Sequence, residues 1–343
     1  MRGCFIVALL LLLVFNCQAQ TDRKTNWFNS PMDSNYVEDH TEDLTVRLYG
    51  SRKYTYFDIV DHGEKSELLY KPNSNMNVGV GFNYKFIGIN IGFNLPFIND
   101  DDDRYGKTKY LDLQSHLYLR KMVIDFYGQY YKGYYLANPK GTISNYMPAD
   151  GFPKRPDIYN LDIGASAQYI FNNKRFSYRA AYLQNEYQKK SAGSFMLGGE
   201  VFAFMVRGDS SLIPRNMQNE NFYDGIHYDK TKVFSLAVNG GYAYTLVFDS
   251  HFFITASLSG AVGMNSTRLY FPGGTHTTEM GWQLNTTVRF SAGYNSSKFF
   301  AGVHYVDMKT RSETPIQRTY QTFGTGNFRV SIARRFGLKK PLF

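Results

Sequence analysis

From Trp282 to Asn295 one residue in two is apolar and nearly every other one is polar. Trp282, Leu284, Thr286, Val288, Phe290, Ala292 and Tyr294 fall on one side. Gln283, Asn285, Thr287, Arg289, Ser291, Gly293 and Asn295 fall on the other. Successive side chains of a strand point to opposite faces, so a period of two predicts a strand with an oily and a wet side. Aromatics near both ends of the oily side, with smaller residues between them, fit a barrel strand that meets lipid outside and water inside.

The pattern recurs along the chain. Val78, Val80, Phe82, Tyr84 and Phe86 share one face, after which Ile87, Ile89, Ile91, Phe93 and Leu95 carry the oily face on odd positions. Such a change of parity predicts a hairpin with an even-length loop. The same test pairs Tyr118 with Asp125, His116 with Tyr127 and Gln114 with Gln129 across Lys121–Met122. It pairs Phe171 with Phe176 and Tyr169 with Tyr178 across 172–175, and Phe248 with Phe252 and Leu246 with Ile254 across 249–251. Across 295–298 it pairs Tyr294 with Phe299 and Val288 with Tyr305. Every turn keeps like faces together. The strand regions run 10 to 17 residues, and a bilayer needs about 9 to 11. A soluble sandwich also alternates, but on shorter strands with guarded edges.

The predicted fold is therefore all-β, a closed antiparallel transmembrane barrel. Its strand number turns on residues 172–249. Three evident strands there (175–188, 194–207, 231–248) would place the turn at Asp249 at the wrong end of the barrel. A further strand over Asn221–Tyr228 gives 14 strands; assigning 194–207 to an outer loop gives 12. The apolar Phe195, Leu197, Val201, Phe202, Phe204 and Val206 make an exposed loop unfavourable, so 14 is the expectation. Long polar connections at 96–107, 135–156, 270–280 and 310–321 alternate with the tight turns, which in an outer-membrane barrel face the periplasm.

Composition agrees: aromatic residues make up 17% and Gly numbers 30 against 11 Pro, a balance that favours strands and turns. The amino terminus adds location. Arg2 precedes an unbroken apolar run from Phe5 to Phe15, and Cys17-Gln18-Ala19 resembles a cleavage site, so residues 1–19 read as an export signal cleaved near Ala19. The run is too short for a spanning helix, which needs about 20 apolar residues, and a chain crossing lipid without helices must do so as a closed barrel. Residues 20–43 read as a polar periplasmic leader and 44–343 as the barrel. Cys4 and Cys17 both lie in the signal, which leaves the mature chain without thiol chemistry. Cys17 is a candidate for lipidation, opposed by its neighbours Phe15 and Asn16.

The formal charge is +9, or +8 without Arg2. Lys and Arg are dispersed rather than gathered on one element, which points away from nucleic acid and toward anionic headgroups or small anionic solutes.

Several segments are similar to a family of Bacteroidetes-type exported proteins known as domain of unknown function 4421. They are Tyr70–Asn75 (YKPNSN), Leu95–Gln114 (LPFINDDDDRYGKTKYLDLQ), Asp125–Leu136 (DFYGQYYKGYYL) and Phe171–Glu200. The resemblance runs from about residue 44 to the end. It implies an outer-membrane barrel of a Gram-negative bacterium and carries over no activity, cofactor or site residue.

Candidate chemistry is sparse. Asp100, Asp101, Asp102 and Asp103 offer hard oxygens for Ca²⁺, but without the alternating loop and distal glutamate of a calcium loop; a solvated acidic loop is the simpler reading. Asp112, Gln114, His116, Tyr118 and Arg120 share the wet face of one strand, beside Asp125, Tyr127 and Gln129 on the next. Asp112 and His116 are the candidates for a hydrolase acting on lipid or peptide, with His as base. Lacking a serine elbow or metal spacing, they fit an internal hydrogen-bond network better. Arg289, Arg329 and Arg335 are predicted to face the interior and, with Arg120, either form a positive filter or pair with Asp112, Asp125 and Asp162. No motif implies a cofactor. The last strand, Asn327–Phe336, and the terminal Phe343 resemble the aromatic signal read by the barrel-assembly machinery. The expected role is binding or passage of a small solute or lipid through a polar lumen; the alternatives are a barrel hydrolase and a surface scaffold with a plugged lumen.

Overall fold

A computed structural model describes residues 31–85, 87–94 and 100–340 of the chain. The export signal, Cys17, the start of the leader and Phe343 lie outside them. The described strands, in chain order, are β1 (Val37–Asp39), β2 (Leu44–Asp61), β3 (Ser66–Pro72), β4 (Met76–Tyr84), β5 (Ile87–Asn94), β6 (Lys109–Asp112), β7 (Ser115–Tyr118) and β8 (Met122–Leu136). There follow β9 (Lys154–Ile170), β10 (Glu186–Gln188), β11 (Ala192–Arg207), β12 (Lys230–Phe248), β13 (Phe252–Tyr270), β14 (His276–Asn295), β15 (Phe299–Glu313) and β16 (Thr319–Phe336). Two short helices, α1 (Asp102–Tyr105) and α2 (Tyr178–Tyr182), lie between them.

Ten strands close a ring in the order β2, β3, β8, β9, β11, β12, β13, β14, β15, β16. The ring shuts where β16 returns antiparallel onto β2, from Thr319 against Asp61 to Phe336 against Leu44. Closure pairs the backbone groups that an open sheet would leave bare at its edges, and lipid tolerates no other arrangement of strands. β4, β5, β6 and β7 belong to the same 14-stranded sheet but stand outside the ring. Thus the expected closed barrel of 14 strands is a ring of ten with four strands attached.

The alternation places side chains as their polarity requires. In β14, Trp282 is 63% exposed and its neighbour Gln283 is fully buried. Toward the end where the tight turns gather, outward positions are oily: Leu197, Leu236, Leu246, Ile254, Leu258 and Ile332 are all exposed. Tyr169, Phe171, Phe248, Phe252, Phe299 and Phe336 border that band, as the aromatic girdle of a membrane barrel does. Toward the opposite, loop end the outward positions become Lys132, Lys232, Arg268 and Lys309, and the interior becomes oily instead. There Phe57, Ile59, Tyr70, Tyr134, Phe204 and Phe323 pack with Leu212, Ile213, Phe222 and Tyr223 from the 208–229 connection. The wall outlasts the oily band, which is why β13 and β14 run 19 and 20 residues. Much of the expected loops 270–280 and 310–321 is strand.

Two expected strands are absent. Residues 175–188 do not pair with 157–171; they turn into the bore, where Phe176, Tyr178, Ala180, Ala181 and Tyr182 are buried together. Consecutive buried residues are incompatible with a wall strand, and Ser177 caps α2 by accepting the Ala180 N–H at 3.1 Å. Residues 221–228 hold a 3₁₀ turn, Phe222–Gly225, inside the loop end. The leader is not irregular throughout, because β1 pairs with β10 of the inward segment, Val37 against Gln188. Of the other turns, Val80 meets Ile91, oily against oily as the change of parity requires, and Phe248 meets Phe252 as expected. His116 meets Asp125 and Tyr294 meets Ala301, a register two residues from the expected one with the same faces.

If the exposed face of β13 meets hydrocarbon, Leu258→Arg will cost about 2–4 kcal/mol in urea-induced unfolding from lipid vesicles. A change below about 0.5 kcal/mol, the level of an indifferent surface substitution, would place that face in water.

Candidate functional site

The wall splits below β3. β3 lies on Phe57–Asp61 of β2, and β4, its continuation, lies on Thr45–Arg52. β3 reaches β8 only through Tyr70 to Pro72. The break has a local cause on each side. Pro72 lacks an N–H for further pairing, and opposite it β8 bulges between Lys132 and Tyr134. Gly133 sits there at φ 95°, and a Cβ on it would lie 2.2 Å from the Lys107 carbonyl oxygen. Beyond this point β5 extends from β4, and β6 and β7 extend from β8 in one register interrupted at 113–114. Among the described residues β5 pairs with no strand but β4, and β6 and β7 with none but β8. Two strand edges therefore face each other across a seam.

Behind the seam lies a cavity of about 1480 Å³. Arg47, Tyr49 and Lys53 of β2 and Arg329 of β16 form its back, and His116 and Tyr118 of β7 one side. Tyr182, Leu183 and Asn185 of the inward segment also line it. Gly79 and Gly81 make room for the back wall, since a Cβ at either would strike the Tyr49 hydroxyl at 2.5 Å or the Arg47 Nε at 2.8 Å. Arg47 donates to Asn90 Oδ1 at 3.1 Å, to Asn83 Oδ1 at 3.3 Å and to Gln184. Arg329 donates to the Tyr182 carbonyl at 3.0 Å. Neither guanidinium has a carboxylate partner among the described residues, and the Nε of each is buried without a partner.

The interior around the cavity is filled in layers. At the turn end, the inward segment is fixed by Glu186, which is buried and lies 2.8 Å from Arg120 and 3.5 Å from Arg179. Arg335 adds two anchors, donating to the carbonyls of Gln184 at 2.7 Å and Glu186 at 3.1 Å, and it also donates to Asn295 Oδ1 of the wall at 2.8 Å. The buried Tyr178 phenol donates to Ser257 Oγ at 2.7 Å. In the middle layer Asp125 joins Arg289 and takes the His116 Nδ1 at 2.7 Å. Glu200 holds the amides of Asn239, at 2.9 Å, and Asn285. The loop-end cluster of aromatic and aliphatic residues forms the third layer.

The sequence-derived candidates separate accordingly. Asp112 and His116, both lining the cavity, do not meet. Asp112 is held by Lys53 at 3.2 Å, Tyr131 at 2.6 Å, Gln129 at 3.0 Å and Gln114 at 3.1 Å. Tyr118 stacks on Tyr182 with centroids 5.1 Å apart. Asp162 bonds to Asn160, with its other oxygen buried and unpartnered. Asp101 and Asp102 accept from the Asn73 amide at 2.7 and 3.2 Å, and Asp100 and Asp102 line the mouth of the cavity. The described residues contain no group of three metal-ligating side chains. Arg47, Tyr49, Lys53, Glu186 and Glu200 were not among the candidates. Arg47, Tyr49 and Lys53 were legible as the odd, wet positions of β2; Glu186 was hidden by the reading of 175–188 as wall.

A closed antiparallel wall, oily outside and polar within, defines a transmembrane β-barrel of the outer-membrane type, here with a filled bore and a side cavity. The chain belongs to the family described as domain of unknown function (DUF4421), whose model matches residues 31–336. No curated protein matches it. Similar solved structures include the outer membrane protease OmpT from Escherichia coli, at 10% identity over 87% of this chain and 98% of that one, TM-score 0.37. The translocator domain of autotransporter NalP from Neisseria meningitidis matches at 8% identity over 85% and 88%, TM-score 0.30. The toluene transporter TodX of Pseudomonas putida matches at 5% identity over 92% and 100%, TM-score 0.24.

Replacing Glu186 by Ala will leave Arg120 and Arg179 buried without their carboxylate and destabilise the barrel by about 3–5 kcal/mol, as breaking a buried ion pair does. Urea unfolding measures the loss, and protease cleavage within 172–191 should appear. Unchanged stability would mean that the segment is not held by this cluster.

Proposed function

We propose that the protein is an outer-membrane barrel that binds a small solute or lipid in its side cavity, and that it does not conduct as an open pore. The observation that carries this reading is the polar cavity of about 1480 Å³, set within filled layers and larger than the ~300–1000 Å³ of ordinary ligand pockets. In this reading the turn end, which bears both described termini, faces the periplasm. The protein arrives there after cleavage of residues 1–19, and the barrel-assembly machinery reads the aromatic positions of β16. Lipids of the outer membrane surround Leu236, Leu258 and their neighbours. The lumen-facing groups named from the sequence act mainly as internal struts: Arg120 and Arg335 hold the inward segment, and Asp125 and Arg289 hold each other. Arg329 alone among them serves the cavity as a cation. Hydrolysis is disfavoured, because Asp112 is engaged by Lys53 and, among the described residues, no nucleophile is bonded to the buried Nε2 of His116.

Planar-bilayer recording tests this directly. The full chain should give no steady conductance, because layers at the turn end, the middle and the loop end all fill its bore. Steady conductance by the intact protein would overturn the closed-bore reading.

A further inference from the structure

The seam poses a physical problem that points to the ligand. In lipid, unpaired strand edges are costly unless they line a wet cavity or are covered. Here both edges border the cavity. Their outward side chains are oily: Ile89, Ile91 and Phe93 of β5 are 50–58% exposed, and Leu111 and Leu113 on the other lip are 57% and 61% exposed. A molecule occupying the seam therefore meets hydrocarbon at its outer side and the polar cavity at its inner side.

The cavity's charge is uneven. Asp112 is neutralised by Lys53 and bonded by Tyr131, Gln129 and Gln114, and Asp102 bonds to Asn73. At the back, among the described residues, Arg47 and Arg329 are met by amides and a carbonyl alone. Guanidinium groups offer forked donors suited to carboxylate or phosphate oxygens, and two of them on adjacent strands favour an anion between them. Gly79 and Gly81 keep the space over β4 that their side chains require.

From this we infer that the cavity binds an anionic amphiphile, its carboxylate or phosphate head at Arg47 and Arg329 and its alkyl tail passing out through the seam between β5 and β6–β7. This assignment rests on the reading of the cavity as a binding site and adds the class of ligand and its route: entry sideways from the bilayer rather than along the bore.

The test is calorimetric titration of the full chain in an uncharged maltoside detergent with four probes: sodium dodecanoate, dodecyl phosphate, dodecanol and inorganic phosphate. Dodecanoate and dodecyl phosphate should each bind one per barrel, with dodecanol and inorganic phosphate at least 100-fold weaker. Arg329→Gln and Arg47→Gln should each weaken the anionic amphiphiles tenfold or more while the heat-modifiable gel mobility of a folded barrel is kept. Inorganic phosphate binding as tightly as dodecyl phosphate would make the site one for a free anion, and equal binding of dodecanol would remove the role of the arginines. Either result overturns the inference and leaves the cavity a binding site, whereas folded protein silent to all four probes removes both readings. A dodecanoic acid carrying a diazirine at its far end decides the route without any variant. Adducts within 89–93 and 111–117 support the seam; adducts confined to 178–183 place the tail in the bore and overturn it.

Discussion

The constraint on which this molecule depends is that a backbone surrounded by lipid must satisfy its hydrogen bonds within the wall. Ten strands meet it by closing, with β16 laid back along β2. The wall gives way only where its own sequence prevents pairing, at Pro72 and at the bulge around Gly133. The cavity follows from that failure, since β4 and β8 diverge and each carries its own outer strands. What lies behind the seam is wet and cationic, and what lies on its lips is oily. Binding chemistry thus originates in a defect of the sheet rather than in a loop or a pore mouth.

The bore is occupied for a related reason. A ten-stranded ring of inward polar side chains needs partners for them, and the chain supplies these from its own connections. Residues 172–191 enter from the turn end and residues 208–229 from the loop end. Two groups of buried charges meet opposite charges, Glu186 with Arg120 and Arg179 and Asp125 with Arg289. Such pairing gives little net stability compared with an apolar filling, but losing one member leaves the other uncompensated. The inward segment is thereby fixed to the wall, and its Gln184 helps hold Arg47 where it faces the cavity.

Much of the wall was legible in the sequence. Outward Leu258 and inward Arg289 follow from the period of two, and the β4–β5 and β12–β13 hairpins pair as parity demands. Register was less accessible: His116 meets Asp125 rather than Tyr127 because the two-residue turn sits at 120–121, one residue earlier than the pattern implied, and parity is blind to a slip of two. The inward segment was misread because Phe176, Tyr178 and Tyr182 mimic an oily face, although the run Ala180–Ala181–Tyr182 breaks the alternation. Of the candidate site, His116, Tyr118, Gln114 and Arg329 were named as wet positions of their strands. Arg47 was overlooked, since nothing local marks one wet arginine as lacking a carboxylate.

By itself, the sequence determined which side of the sheet each wall residue faces. That property is local: a strand inverts its side chains at every step, and the solvent on each side selects the polarity. Tertiary structure alone decided that ten strands close the ring, that 172–191 fills the bore, and that the wall opens between β5 and β6–β7. It also decided which charges meet, since Lys53 finds Asp112 and Arg47 finds only amides. These outcomes depend on contacts between residues far apart in the chain, and the period of two contains no record of them.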